Sequence, residues 1–153
     1  MKVEIREARK TDLQMLLPLY GQLGMDNGDV LSLAEAQKKF RRMRAYPDYR
    51  LYCALYEGAV IGTFALLVMD NMGHMGKPSA VLEDVVVAGK WRGRGIGGQM
   101  VCYAMARSRE KGCYKLSLSS NENREDAHRF YEKIGFKRHG YSYAMFLENE
   151  VNF

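Results

Sequence analysis

The chain has 153 residues, 47% of them hydrophobic and 27% charged, with a formal net charge of +5. That length and balance fit one compact globular domain over residues 1–153 with a sizeable core, and argue against a second domain. No apolar run approaches the ~18 residues of a membrane span, and the opening MKVEIREARK alternates charged with apolar residues instead of presenting a signal-peptide core, so a cytoplasmic protein with no membrane partner is expected.

Residues 3–9 alternate as an opening strand does, and Thr11 with Gln14 has capping-box spacing for a helix through about Leu23. Ser32 with Glu35 repeats that spacing. The helix it predicts, to about Tyr46, carries Leu33, Ala36, Phe40 and Met43 at helical intervals, with a solvated basic face between them. Pro47 blocks further helix, and the runs LYCALYE and AVIGTFALLVM flank Gly58 as a hairpin. After the stretch DNMGHMGKPS, the β-branched run AVLEDVVVA predicts a central strand buried on both faces, which makes its acidic pair Glu83 and Asp84 conspicuous. A glycine loop follows, then a helix from about Gly95 to Lys111 and the strand YKLSLSS, together a parallel crossover unit. A helix from about Arg124 to Ile134 stops at Gly135, and one or two strands from Phe136 to Leu147 close the chain.

Cys53, Cys102 and Cys113 are widely spaced, with no C-x-x-C pair and no histidine at ligand spacing, which predicts reduced structural thiols and no metal. The ten methionines read as adaptable core packing.

The loop Arg92-Gly93-Arg94-Gly95-Ile96-Gly97-Gly98 carries the strongest chemical signal. A helix N-terminus offers unpaired N–H groups and the positive end of a dipole, and glycines let that backbone approach an anion closely. Arg92 and Arg94 add fixed positive charge, which suits a pyrophosphate. Gly93, Gly95 and Gly98 also satisfy G-x-G-x-x-G, but a dinucleotide domain would begin with this unit, whereas here it lies late, after an antiparallel hairpin. No Gly-Lys-Ser/Thr follows, which excludes a Walker loop.

This run resembles the acyl-coenzyme A signature of the GNAT superfamily of N-acetyltransferases, Q/R-x-x-G-x-G/A, with Arg92, Gly95 and Gly97 in its fixed places. The resemblance extends from Val81 to Phe136, because Ala127, Tyr131, Gly135 and Phe136 match the family's Ala-x-x-x-Tyr-x-x-x-Gly-Phe helix. It implies an α/β fold of the α+β type: a mixed, mostly antiparallel six- to seven-stranded sheet with about four helices, splayed between the strand before and the strand after the cofactor-loop helix. It implies acetyl-CoA as co-substrate, its pyrophosphate on Arg92–Gly98, Ile96 included, and its pantetheine beside Val85, Val86 and Val87. Where many relatives carry an asparagine three residues before the alanine this chain has Arg124, so Arg124, or Asn121 or Asn123 in its place, is the expected further cofactor contact. Tyr131 matches the tyrosine that stands beside the sulfur as general acid.

Acetyl transfer to an amine also needs a base for the ammonium. Carboxylates in an apolar strand should be partly desolvated and raised in pKa, which points to Glu83 as base, directly or through water, and to Asp84 as acceptor-binding or structural. Adjacent strand residues face opposite ways, so only one should reach a given site unless a bulge intervenes. The strand resembles that of glucosamine-phosphate N-acetyltransferases, where acidic residues line the acceptor site. His74, in DNMGHMGK, is a further candidate lining the acceptor pocket, and His128, beside Ala127, reads as a surface or satisfied residue.

The expected activity is therefore acetyl transfer to a primary amine of a small molecule by direct attack in a ternary complex. An acyl-CoA sensor, or an enzyme acting on a protein amine, is the alternative. A nucleic-acid module built on Arg41, Arg42, Arg44 and Trp91–Arg94 would interleave aromatics with its basic residues, and Trp91 is the only clear instance, so no nucleic-acid partner is expected. The segment YSYAMF could serve a homodimer or complete its own sheet.

Overall fold

The computed structural model describes residues 1–145. They fall into two compact units, Met1–Leu118 and a second beginning at Ser119.

In the first unit, β1 (Glu4–Glu7) leads through a 3-10 turn into α1 (Leu13–Tyr20), followed by α2 (Leu33–Ala45), β2 (Tyr49–Tyr56), β3 (Ala59–Met69), β4 (Ser79–Val87), α3 (Ile96–Glu110) and β5 (Leu116–Ser117). The strands form one sheet in the order β1-β2-β3-β4-β5, antiparallel except for the parallel β4–β5 pair. The β2–β3 hairpin turns at Glu57 and Gly58, both at positive φ, as a tight two-residue hairpin loop requires. Ser32 caps α2 with the expected box: its Oγ accepts from the Glu35 N–H and the Glu35 carboxylate accepts from the Ser32 N–H. Phe64, Leu16, Ile61, Met100 and Val101 are fully buried in the core.

The second unit carries α4 (Glu125–Ile134), which stops at Gly135 in the left-handed conformation. There the Gly135 N–H donates to the Glu132 carbonyl and the Phe136 N–H to the Tyr131 carbonyl, closing the helix end.

Four expectations change. The sheet has five strands among the described residues, not six or seven, because residues 136–145 hold no strand; the rest of the expected closing strand, Phe146 and Leu147, lies outside the described residues. The strand expected over residues 114–120 pairs only at Leu116 and Ser117. The first helix is capped two residues earlier than Thr11 and Gln14 suggest: the Asp12 carboxylate accepts from the Arg9 N–H at 2.7 Å, and α1 proper ends at Tyr20 before a 3-10 turn, Gly21–Leu23. Finally, β4 is not buried on both faces. Its pairing with β3 slips between Thr63↔Val86 and Ala65↔Glu83, so that Asp84 and Val85 oppose the single residue Phe64. Asp84 sits at φ 51°, and the resulting bulge leaves Glu83 and Asp84 both exposed.

Candidate acceptor pocket and anion loop

The bulge faces a cavity of about 310 Å³. Its buried wall includes Leu16, Phe40, Leu51 and Ala65, and Tyr20 and Tyr49 stand with them. The segment Met25–Leu31 contributes exposed lining: Met25, Val30 and Leu31 are 51%, 46% and 45% exposed. Asp84 lines the cavity from β4, Asp26 and Asp29 from that segment, and Lys39 from α2. Neither Glu83 nor His74 is among the lining residues. His74 instead stacks on Tyr114 with ring centroids 4.1 Å apart.

Although both residues are exposed overall, partial desolvation of the Asp84 carboxyl, which lines the cavity, pushes it above its ordinary range; partial desolvation, then the neighbouring Asp84 charge, does the same to Glu83. Burial also raises the Tyr20 and Tyr49 hydroxyls, with Asp84 adding to both, so each phenol stays neutral and able to donate a hydrogen bond.

Beyond the bulge the outer edge of β4 is open. Pairing with β5 stops at Val81↔Ser117, so residues 82–87 have no strand on that side among the described residues, and this is the expected splay. Val86 is buried in the core, while Val85 and Val87 are half-buried.

The loop after β4 is built by contacts that the sequence did not announce. The Arg92 guanidinium donates to the Val87 carbonyl at 3.0 Å and to the Gln22 carbonyl at 3.5 Å. The Gln22 side chain accepts from the Gly89 N–H at 2.8 Å. Arg92 is therefore an internal brace as well as a positive charge. Gly93 and Gly95 stand at φ 74° and 76°, with open space where a Cβ would be. Gly95 is the N-cap of α3 and no side chain caps it, so the first-turn amides, those of Ile96 to Gly98, have no side-chain acceptor. An unobstructed, uncapped start to a 15-residue helix suits a pyrophosphate. Trp91 packs on Tyr56 at 5.2 Å, and the Arg94 guanidinium lies over it at 5.0 Å, which occupies the aromatic that a nucleic-acid reading would need.

In the second unit, Tyr131 packs edge-on against Phe130 and Phe136, and burial raises its hydroxyl pKa, opposed by the Arg124 charge. The Asn121 side chain accepts from the Asn123 N–H at 2.9 Å, its main-chain carbonyl accepts from the Arg124 N–H, and the same carbonyl lies 2.9 Å from the His128 ring. Asn121 thus caps its own loop, and Arg124 is the N-cap residue of α4 with no side-chain cap bond.

All three cysteines are free, and Cys53 is fully buried, its thiol pushed up to about 12 by desolvation. No group of metal-binding side chains occurs among the described residues, and no helix among them is long and apolar enough to cross a membrane.

An acidic, partly apolar pocket and an uncapped glycine-loop helix are joined by one strand with an open edge, an arrangement that suits acyl transfer from a pyrophosphate-bearing thioester to an amine. The model of the Acetyltransferase (GNAT) family matches residues 21–136, and the chain belongs to that family. It is similar to glucosamine 6-phosphate N-acetyltransferase of Trypanosoma brucei brucei, 30% identical over 141 residues that cover 90% of each chain. It also resembles aminoalkylphosphonate N-acetyltransferase of Salmonella typhimurium, 27% identical over 144 residues covering 94% of this chain and 91% of that one. Among solved structures, a Trypanosoma brucei acetyltransferase superposes with a TM-score of 0.79 at 30% identity, covering 95% of this chain and 100% of the other. The chain is accordingly an N-acetyltransferase of that family.

Proposed function

We propose that the enzyme takes the acetyl group from acetyl-CoA, the co-substrate of this family, and passes it to the acceptor by direct attack in a ternary complex. The observation that carries this reading is the order of parts along β4: an acidic bulge in a cavity wall, then an open strand edge, then an anion-ready helix start. A pantetheine pairing with the edge at Val85–Val87 while its pyrophosphate meets the Gly93–Gly98 amides would bring the thioester towards the acidic bulge.

In this reading Arg92 and Arg94 supply positive charge to the phosphates, and Arg124 or Asn121 completes the cofactor contacts. Glu83, held above its ordinary pKa, takes the ammonium proton directly or through water, and Asp84 anchors the amine. Tyr131, whose raised pKa keeps it protonated at neutral pH, returns a proton to the departing thiolate. His74, stacked on Tyr114, would contact an acceptor only from outside the cavity. A cavity of this size favours a small molecule over a protein amine. Homodimerisation through Tyr141, Tyr143 and Met145, all exposed, belongs to the same reading and is read out by sedimentation velocity.

Calorimetric titration with acetyl-CoA tests the core of it. Saturable micromolar binding is expected, lost in Gly95→Asp, which sets charge against the phosphates at a positive-φ position. Tyr131→Phe should keep cofactor affinity within a few-fold yet lower turnover by on the order of a hundredfold. Equal turnover would remove Tyr131 from the acid role.

A further inference from the structure

The named relatives act on amines that carry a phosphate or a phosphonate. The cavity here is built for another charge. Its lining holds three carboxylates, Asp26, Asp29 and Asp84, against one ammonium, Lys39, which leaves a net of two negative charges. None of the three carboxylates is ion-paired among the described residues, whereas Glu7, Asp12, Asp48 and Glu110 are all paired with Arg or Lys. A phosphoryl group carries close to two negative charges at neutral pH and would meet these carboxylates with Lys39 as its lone counter-charge.

The rest of the lining is apolar. Phe40, Leu51 and Ala65 are buried, while Met25, Val30 and Leu31 line the same cavity with large side chains that keep much of their surface exposed. Exposed apolar surface gathered in one concave site marks the place of a ligand body. A polyhydroxylated sugar would have to give up water against these side chains without hydrogen-bond partners; a methylene chain gains from the same burial.

We propose that the acceptor is an unphosphorylated alkyl diamine, one ammonium at Asp84, the methylene body along the apolar lining, and the second ammonium at Asp26 and Asp29. This rests on the acetyl-transfer reading above and adds the substrate class. The amine at Asp84 loses a proton to the base, its nitrogen forms the C–N bond to the thioester carbonyl carbon, and the C–S bond breaks. The thiolate takes a proton to become free coenzyme A, and the amide nitrogen releases the last. One N-acetylated amine, one thiol and one net proton result. The distal ammonium stays charged throughout, which is why its carboxylates can lie on the exposed segment while Asp84 stands on β4 beside the reacting strand.

The test is thiol release from acetyl-CoA with four probes: 1,5-diaminopentane, pentylamine, glucosamine 6-phosphate and 2-aminoethylphosphonate. The expected kcat/KM for the diamine exceeds that for pentylamine at least tenfold, and both exceed the two phosphorylated or phosphonylated amines. In the double variant Asp26→Asn with Asp29→Asn, the diamine should fall to the level of pentylamine; asparagine also tolerates the φ of 53° at position 26, so the backbone is kept. Equal rates for diamine and pentylamine in the native enzyme overturn the second cation site. Higher kcat/KM for either anionic amine overturns the diamine while leaving acetyl transfer standing. No thiol release with any probe, despite calorimetric binding of acetyl-CoA, overturns the diamine and directs acetyl transfer to an acceptor of another chemistry, whereas no binding of acetyl-CoA at all removes the acetyl-transfer reading and the proposal with it.

Discussion

Asp84 joins three physical conditions that are individually unfavourable: a left-handed backbone, a carboxylate partly desolvated although its residue is exposed, and a second carboxylate next to it. Such strain, of order 1–3 kcal/mol for the backbone alone, persists where function requires it. The sign of its pH effect follows from the raised pKa. The native state binds the proton more tightly than the unfolded chain, so stability is fully present below the unfolded value, about 4, and is lost as pH rises through the higher folded value. Asp84→Asn removes the ionisable group and keeps the φ. It should therefore raise the melting temperature at pH 7 only slightly, by about 1–2 °C at most because solvent screens much of an exposed carboxylate, and the gain should vanish below about pH 4. A thermal melt series across that range checks it, and a destabilised variant at pH 7 would mean that the carboxylate is satisfied in the folded state. Sequence pointed to both acids and to the possibility of a bulge, but could not place one: a left-handed aspartate carries no mark comparable to glycine.

The elements differ in how far their sequences disclosed them. The hairpin at Gly58, the Ser32–Glu35 cap and the helix ending at Gly135 were legible because each depends on a residue type that few others can replace. The anion loop was legible for the same reason. What holds that loop was not, since Gln22 meets Gly89 and Arg92 across 67 and 70 residues of chain and nothing in a lone glutamine announces it. Gln22 begins the link between the two halves of the site: Leu23 and Met25, just beyond it, line the cavity, while its own side chain pins the turn that leads into the loop. Gln22→Ala deletes the acceptor for the Gly89 N–H. A lost hydrogen bond of about 1 kcal/mol should appear as a roughly fivefold weaker Kd for acetyl-CoA. An unchanged Kd would show that the Arg92 to Val87 bond holds the loop by itself.

At the scale of the molecule, the pocket was illegible because it is assembled from α1, α2, the Met25–Leu31 segment and three strands, each contributing ordinary apolar residues. The one acid that orders this end of the fold was equally hidden. Asp12, only 4% exposed, takes two bonds from the Arg6 guanidinium at 2.7 and 3.0 Å and one from the Arg9 N–H, tying β1 to the start of α1. The hydrogen bonds from Arg6, foremost, hold its carboxyl below the ordinary range against the cost of burial. Its contribution thus has the opposite sign to that of Asp84: it is present above the unfolded pKa, about 3.9, and is lost as pH falls through the lower folded value. Acid unfolding of the native chain should follow Asp12, while the carboxylates of β4 favour the folded state in that same range. Asp12→Asn leaves the half-buried Arg6 with only the exposed Glu4 carboxylate, 3.7 Å away, as charge partner, a loss of about 3 kcal/mol at most. For a chain of this length that is a fall of roughly 6–12 °C in Tm at pH 7. The deficit should shrink steadily as the pH of the melt is lowered towards 3. A pH-independent deficit would instead assign the loss to packing around the turn and not to the ion pair.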